Sequence, residues 1–449
     1  MTRYSVFRYE SFSFERTPAS ITARFKFSIP PDISFTPEVH FEAVSNGWHN
    51  IPEDALNNAI FHLGLIESLS YWKSTASPVI EVQAGTLSRE QVNWWHDLLI
   101  NGMGEFFYHN DIDFTAPDFV EFRSTTAAPP PRPYTDPLPD RSLLTIGGGR
   151  DSALAGALLR DSGRPFTCMM LNPSTAAINI ARHVTPNDPV IIRRSICPEL
   201  LELNRRGFLN GHTPFSAYLA FLGAVCLLLY GYDKVIVANE RSSDEGNVRY
   251  RERDINHQYS KTFRFERLFD EYLSKYIVAG GRYFSFVRPL YELQIGELFS
   301  RFPALFELFK SCNRKRSDSW CGECPKCLSV FLTMYPFVTR SALMKIFGTD
   351  LFDREGNIPI LRKLAGLEVK PFECVATTGE IATALALSIE KARAGGDSLP
   401  PVLAYAVENI PGVKSAAAAP ILNSFGSHRI PQEFESFLTN ALKRSPRSL

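Results

Sequence analysis

The sequence predicts an α/β protein with a parallel, doubly wound sheet, preceded by a smaller mixed α+β domain. After residue 141, short apolar segments alternate with helical ones, which is the pattern of βαβ units. Before that point, residues 20–29 alternate between apolar and polar side chains, and such alternation indicates a strand with one buried face. The two patterns predict two domains of different construction.

Composition supports a globular protein with a small-molecule partner. The chain has 449 residues, 45% hydrophobic and 21% charged, and its 48 basic side chains balance 48 acidic ones. Such a length is typical of two or three domains. A neutral chain without basic runs lacks the charge of a general nucleic-acid binder, so we expect no nucleic-acid partner.

One apolar segment, residues 214–230, is long enough to raise the question of a membrane span. It falls short of the ~20 apolar residues that a bilayer requires, and it includes Ser216 and Tyr218. A strand pattern follows at residues 234–238. We therefore interpret the segment as a core helix. Because no apolar signal-peptide core follows Met1, we expect a cytoplasmic protein without membrane contact.

Residues 1–126 are predicted to form the mixed domain, a candidate for substrate recognition. Apolar residues at helical spacing predict a helix over residues 54–73. A second helix is expected after Ser88, since Ser88 and Gln91 have the spacing of a capping box. Six prolines between residues 129 and 139 exclude a helix or central strand, so residues 127–140 are interpreted as a stiff linker.

The remaining chain is predicted to contain three regions. Residues 141–311 carry the α/β pattern, with strands expected at residues 143–146, 166–171, 190–193 and 234–238 and a helix at residues 153–159. Residues 312–394 contain a cysteine cluster and helical patterns. Residues 395–449 are rich in Ala, Ser and Pro and are expected to form a loosely held C-terminal tail.

Three glycines, Gly147, Gly148 and Gly149, lie between the first strand and first helix of the α/β region. Consecutive glycines let backbone N–H groups converge, and a helix N-terminus adds partial positive charge, so the turn suits a phosphate. It is neither GxxxxGK[ST] nor GxGxxG. The alternative interpretation is a plain tight turn in which Asp151 or Ser152 caps the helix.

The segment from Gly147 to Ser152 resembles the PP-loop of ATP pyrophosphatases, Ser-Gly-Gly-x-Asp-Ser. Gly148, Gly149, Asp151 and Ser152 match, whereas Gly147 replaces the usual serine. The resemblance implies a PP-loop fold, cleavage of ATP between its α- and β-phosphates, and transfer of AMP to an acceptor oxygen. Arg150, at the variable position, would partly replace the missing hydroxyl with charge.

Four cysteines have metal-ligand spacing, C-x8-C-x2-C-x2-C: Cys312, Cys321, Cys324 and Cys327. Four thiolates suit a closed tetrahedral zinc site, which is structural because no coordination position stays open. A redox CxxC pair or an iron–sulfur cluster are the alternatives. The spacing is similar to that of cyano-deazaguanine synthases, PP-loop enzymes that activate a carboxylate with ATP.

Several segments together resemble the UDP-N-acetyl-α-muramoyl-L-alanyl-L-glutamate epimerase family, over roughly residues 45–380. They are LTIGGGRDSALAG, LNGHTPFSA, VANERSSDEGN, NHQYSKTFRFE, SCNRKRSDSWCGECPKC, HLGLIESLSYWK, GEFFYHNDIDF and KPFECV. The resemblance implies an enzyme of peptidoglycan precursor synthesis that binds ATP, Mg²⁺ and UDP-MurNAc-L-Ala-L-Glu. It would adenylate the terminal L-glutamate, invert its α-carbon and release AMP and pyrophosphate.

Within this implied reaction, we assign hypothetical roles to particular residues. The residues of the glycine turn, Gly147 to Ser152, would hold the triphosphate, and Asp151 would help to place Mg²⁺. His257, Lys261, Glu240 and His212 lie in polar segments near predicted strand ends and are candidates for α-proton transfer. The pair Arg193 and Arg194 would meet phosphate or carboxylate.

A mechanism with two facing thiols is disfavoured. It would have to use cysteines outside the cluster, and three of the four that remain, Cys168, Cys197 and Cys226, lie in core-like segments. The fourth is Cys374.

Other functions stay open. One alternative is another PP-loop enzyme, such as a carboxylate-to-nitrile synthetase like the cyano-deazaguanine synthases. A PP-loop tRNA thiolase would need a basic surface and a further reactive cysteine pair, and a glutamine-dependent synthetase would need an N-terminal cysteine where this chain has Thr2. The non-enzymatic alternative is a binding module, stabilised by zinc, that senses a nucleotide without cleaving it. The oligomeric state is not predicted.

Overall fold

A computed structural model describes residues 4–45, 47–124, 129–314, 319–396 and 398–443. Its strands are β1 (Val6–Arg16), β2 (Ser20–Ile29), β3 (Ile33–Phe35), β4 (Glu38–Glu42), β5 (Val79–Val82), β6 (Glu121–Ser124), β7 (Ser142–Thr145), β8 (Phe166–Leu171), β9 (Val190–Ser195), β10 (Lys234–Val237), β11 (Val248–Tyr250), β12 (Arg253–Ile255) and β13 (Arg282–Ser285). Its helices are α1 (Glu53–Trp72), α2 (Arg89–Gly102), α3 (Gly104–His109), α4 (Arg150–Asp161), α5 (Thr175–Val184), α6 (Pro198–Arg205), α7 (Phe215–Tyr230), α8 (Phe263–Tyr276), α9 (Glu292–Phe299), α10 (Pro325–Met334), α11 (Arg340–Phe347), α12 (Ile358–Leu364), α13 (Thr378–Ala394), α14 (Pro401–Asn409), α15 (Ala419–Leu422) and α16 (Gln432–Lys443).

One sheet runs through both predicted domains. Its strand order is β13-β10-β7-β8-β9-β4-β2-β1-β5-β6, with β3 paired to β2. The five strands from β13 to β9 are parallel, whereas β9 pairs antiparallel with β4. The parallel part agrees with the predicted α/β region, but the β4–β9 pairing joins it to the N-terminal strands in a single mixed sheet.

The central strands are buried on both faces because helices cover each side of the sheet. Successive residues of β10 illustrate this: Val235 packs into the core that contains α1 and α7, and Ile236 packs into the core that contains α4 and α9. Side chains alternate between the two faces of a strand. This accounts for the continuous apolar runs in the sequence.

Helix α7 is apolar all round because it lies inside the protein. It packs against α1 and β10, and a Cβ added at Gly223 would lie 2.9 Å from Val235. The prediction of a core helix is confirmed by this packing. Among the helices formed by the described residues, none combines the length and apolar character needed to cross a membrane.

The predicted capping box is also confirmed. The Ser88 hydroxyl accepts the Gln91 N–H, and the Gln91 side chain accepts the Ser88 N–H. Residues 127 and 128 of the predicted linker lie outside the described residues. Farther along, Tyr134 forms a parallel bridge with Val278, which ties the proline-rich segment to the α/β region.

The expectation that residues after Gly395 are loosely held is wrong for the helical parts of this segment. Val402 and Leu403 in α14 and Leu438 in α16 are fully buried. They belong to the core beneath α4 and α9. The composition is misleading here because scattered apolar residues at helical spacing suffice for packing.

Candidate active site

Polar residues meet at the carboxyl ends of β7, β10 and β13, which are adjacent and parallel. The glycine turn follows β7, and Asn239 and Glu240 follow β10. Ligands of open α/β sheets bind at this edge. The fold thus brings the turn and the polar segment after β10, which are far apart in sequence, to one place.

The glycine turn has the backbone of an anion-binding loop. Gly148 has φ +92°, which favours glycine, and a Cβ there would lie 3.1 Å from the Ala177 nitrogen and the Ser174 hydroxyl. Gly149 precedes the first residue of α4 and has no side chain to cap it, and the Ser311 hydroxyl accepts the Arg150 N–H at 3.2 Å. A Cβ at Gly147 would meet open space, so this side of the turn has room for a ligand.

Arg150 does not extend from the turn as a free cation. Its side chain is 1% exposed, and its guanidinium donates to Asp151 (3.0 Å), Thr333 (2.8 Å) and Glu292 (3.1 Å). A phosphate contact from this guanidinium would require it to leave buried partners. We assign Arg150 the positioning of Asp151 and of α4 against α9 and α10.

Two buried cations act on Asp151. Burial opposes its ionisation, but Arg150 and Lys326 outweigh this effect and lower its pKa. The Lys326 ammonium is itself held by Glu292 at 3.0 Å. Asp151 is therefore an ionised carboxylate beside the turn, suited to bind a cation or orient a phosphate.

A second group of side chains surrounds Cys374. The Lys261 ammonium donates to its sulfur at 3.1 Å, and His257 contacts the same thiol. Burial alone would raise the pKa of the Cys374 thiol, but Lys261 and then His257 stabilise the thiolate and lower this pKa to about 7. Cys374 is thus substantially ionised near neutral pH.

His257 and His212 share Glu105. His257 Nδ1 donates to the Glu105 carboxylate in a short hydrogen bond, and His212 Nδ1 lies 3.4 Å from the same oxygen. Burial opposes protonation of His257, but Cys374 and Glu105 raise its pKa to about 9. Burial and the charge of His257 lower the pKa of His212 to about 4.

Glu240 is the one buried carboxylate of the site whose two oxygens both lack hydrogen-bond partners among the described residues. The residue is 1% exposed. Burial raises the pKa of Glu240, and Asp151 adds to the increase, while Lys261 opposes it. A buried acid in this state is poised to hold a proton rather than a charge.

The structure thus places all four predicted proton-transfer candidates, His257, Lys261, Glu240 and His212, in one region. Sequence reasoning missed Glu105 and the importance of Cys374, although both lie in quoted segments, GEFFYHN and KPFECV. It also missed Lys326, between two predicted zinc ligands. Arg193 and Arg194 are also expected to meet a phosphate or a carboxylate of a ligand. The structure instead pairs Arg193 with Glu42 and Arg194 with Glu67.

The four clustered cysteines, Cys312, Cys321, Cys324 and Cys327, have sulfur atoms within 4.8 Å of one another. Cys321 and Cys327 are 3.7 Å apart, and Cys324 and Cys327 are 3.4 Å apart. Zn–S bonds of ~2.3 Å in a tetrahedron require sulfur separations of ~3.8 Å. The four thiols therefore fit a zinc ion.

Comparison with known proteins covers nearly the whole chain. The family model for the MurL N-terminal domain matches residues 1–286, and that for the MurL C-terminal domain matches residues 308–419. A protein of Xanthomonas oryzae pv. oryzae named UDP-N-acetyl-α-D-muramoyl-L-alanyl-L-glutamate epimerase is 30% identical over 95% of each chain.

Micromonospora sp. and Salinispora tropica provide further relatives of the same name. Each is 32% identical to this chain. The first match covers 86% of this chain and 88% of the Micromonospora protein. The second covers 84% of this chain and 82% of the Salinispora protein. The two family models and these long matches agree with one another. The chain belongs to the MurL family of UDP-N-acetyl-α-D-muramoyl-L-alanyl-L-glutamate epimerases.

Proposed function

We propose that this chain is an ATP-dependent epimerase of peptidoglycan precursor synthesis. It would convert the terminal L-glutamate of UDP-MurNAc-L-Ala-L-Glu to D-glutamate. The observation that carries this proposal is the meeting of a phosphate-type glycine turn with a buried set of proton-transfer groups at one sheet edge. The names of the relatives, which match over most of their length, supply the substrate.

The chemistry explains why ATP is needed. Removing the α-proton next to a free carboxylate would place a second negative charge on the same group. Adenylation neutralises the carboxylate and makes it an electron-withdrawing acyl phosphate, so that a side-chain base can remove the proton. Readdition on the opposite face inverts the centre. Hydrolysis of the acyl phosphate then releases AMP and makes the reaction irreversible.

The glycine turn and the start of α4 would bind the triphosphate through backbone N–H groups and the Ser152 hydroxyl. Asp151 would hold Mg²⁺, for which carboxylate oxygens are suitable ligands, and the ion would neutralise the departing pyrophosphate. The inverted stereocentre lies next to the α-carboxylate of glutamate, so that carboxylate is the one activated.

We further propose that Cys312, Cys321, Cys324 and Cys327 hold a structural Zn²⁺. The knuckle they form lies at the N-terminus of α10, where Cys324 accepts the Cys327 N–H. Helix α10 also carries Lys326 and Thr333, which contact Glu292 and Arg150. The ion would thereby fix the helix that supports Asp151, without taking part in the reaction.

Pyrophosphate release tests the function. The protein is incubated with ATP, Mg²⁺ and either UDP-MurNAc-L-Ala-L-Glu or UDP-MurNAc-L-Ala, and the recovered glutamate is analysed on a chiral column. We expect release only with the glutamyl substrate, together with D-glutamate. Asp151→Ala should abolish both signals, whereas Asp161→Ala, at the exposed end of α4, should retain them. No release with either compound would refute the proposal.

A further inference from the structure

We propose that Cys374 is the base that removes the α-proton of the adenylated glutamate, and that Lys261 positions it as a thiolate. This inference rests on the proposed function and names the group that performs its central step. It uses one thiol, paired with a carboxylic acid, rather than two facing thiols.

The surroundings of Cys374 differ from those of the other cysteines outside the metal cluster. Cys168 and Cys226 are fully buried in the core, and burial raises the pKa of both thiols. Cys197 donates to Glu199. Cys374, by contrast, has the Lys261 ammonium at 3.1 Å and His257 beside it. A thiol held between cationic donors is arranged to be a thiolate.

Glu240 provides a second, independent indication that a reacting group belongs here. Its carboxyl group is buried and has no hydrogen-bond partner for either oxygen among the described residues, although burying such a group unpaired is costly. The Lys261 ammonium interacts electrostatically with both Glu240 and Cys374. A substrate atom between the two would give the acid a partner and the thiolate a proton to remove.

The neighbouring groups are less suited to be the base. Lys261 has a raised pKa because Cys374 and Glu240 overcome its burial, and His257 is protonated up to about pH 9. Both are therefore already charged at neutral pH. His212, with a pKa of about 4, is neutral but weakly basic. Cys374 is the acceptor of the Lys261 hydrogen bond, and a thiol with a pKa near the working pH combines availability with basicity, which points to Cys374 as the base.

The step balances in protons. The Cys374 thiolate takes the α-proton and becomes a thiol, while the electron pair moves into the carbonyl of the acyl phosphate. Glu240, as the neutral acid, gives its proton to the opposite face and becomes a carboxylate. The two groups return to their starting states when one proton passes from Cys374 to Glu240, and the Lys261 charge acts on both of them.

The test separates proton removal from adenylation. Wild-type protein, Cys374→Ala and Cys374→Ser are incubated with ATP, Mg²⁺ and UDP-MurNAc-L-Ala-L-Glu in D₂O. Pyrophosphate release, deuterium at the glutamate α-carbon and the D/L ratio are followed together. For both variants we expect substrate-dependent pyrophosphate release to continue, while deuterium incorporation and D-glutamate fall by roughly 10²–10⁴-fold. ATP would be consumed without a change in the substrate.

Cys197→Ala is the matched control, because Cys197 lies at the start of α6 and its thiol donates to Glu199 rather than contacting Lys261 or His257; it should exchange deuterium like wild type. Exchange at the wild-type rate in Cys374→Ala would overturn the proposal. Loss of pyrophosphate release in both variants, at an unchanged melting temperature, would overturn it too, since the sulfur would then act before proton removal. Failure of the wild type to release pyrophosphate would instead refute the proposed function.

Discussion

At the scale of single residues, the Lys261 ammonium controls the ionisation of Cys374. It is the main charge that offsets burial and lowers the pKa of the thiol to about 7. Proton removal that depends on the thiolate therefore declines as the pH falls through about 7, because the thiol becomes protonated. The upper limit is set by Glu240, the proposed proton donor, because readdition declines as the pH rises and this acid, whose pKa is raised by burial, loses its proton.

Replacing Lys261 should move the lower limit of this window. In Lys261→Met the thiol loses an opposite charge at 3.1 Å, so its pKa rises by roughly 1–3 units. The acid limb of the deuterium-exchange profile should then shift to higher pH by the same amount. Exchange is normalised to pyrophosphate release at each pH, so that a change in ATP affinity does not affect the comparison.

The exposed lysine Lys275, which pairs with Glu90, provides the control for that experiment. Lys275→Met should leave the acid limb in place. An unshifted limb in Lys261→Met would show that another group titrates in the exchange step.

Some residues of this site could be predicted from the sequence, and others could not. Glu240 could be anticipated because it directly follows a strand pattern, and strand ends of a parallel sheet meet at one edge. Cys374 lies between α12 and α13, and nothing local distinguishes a thiol near a lysine 113 positions earlier. Glu105 lies within a short helix, where an acidic side chain is ordinarily solvated. Such contacts arise only from tertiary packing.

At the scale of elements, the turn between β7 and α4 depends on Gly148. Its φ of +92° is strained for any residue with a Cβ, and that atom would press on the Ala177 nitrogen. Gly148→Ala should lower the free energy of unfolding by ~1–3 kcal/mol and abolish pyrophosphate release. Urea denaturation and the pyrophosphate assay provide the two measurements.

Gly147→Ala is the matched control for stability, since its Cβ would meet open space. Its free energy of unfolding should stay within ~0.5 kcal/mol of wild type. Equal destabilisation by both substitutions would show that the turn is not shaped by the conformation of Gly148.

The cysteine knuckle is the second element with a specific expectation. Purified protein should contain one zinc atom per chain by elemental analysis. Cys324→Ser should lose the metal and lower the melting temperature, because a structural zinc site contributes folding free energy. Cys197→Ser should keep both properties. Iron in place of zinc, found by the same elemental analysis, would instead indicate the iron–sulfur alternative.

At the scale of the whole molecule, the strands were easier to predict than their assembly. The patterns at residues 20–29, 166–171 and 234–238 all correspond to strands. The pairing of β4 with β9, however, joins Phe41 to Ile192 across 151 positions. Hydrophobic periodicity reports whether a segment is a strand but carries no information on its distant partner. The proline-rich segment therefore predicts a domain boundary, although the same sheet continues through the residues on both sides of it.

A buried ion pair crosses this junction and offers a test of whether the chain unfolds as one unit. Arg194 in β9 donates to both carboxylate oxygens of Glu67 in α1, at 2.7 and 3.0 Å. Their side chains are 11% and 0% exposed. Glu67→Gln leaves the guanidinium buried without its counter-charge, which should cost ~3–5 kcal/mol.

Because the two parts share a sheet, this loss should shift one common transition. Tryptophan fluorescence and far-UV circular dichroism should give the same urea midpoint for wild type, and both midpoints should fall together in Glu67→Gln. The exposed pair of Glu42 and Arg193 lies at the same junction, and Glu42→Gln should cost no more than ~1 kcal/mol. Midpoints that separate, with only one shifted by Glu67→Gln, would mean that the N-terminal part and the α/β part fold independently despite the shared sheet.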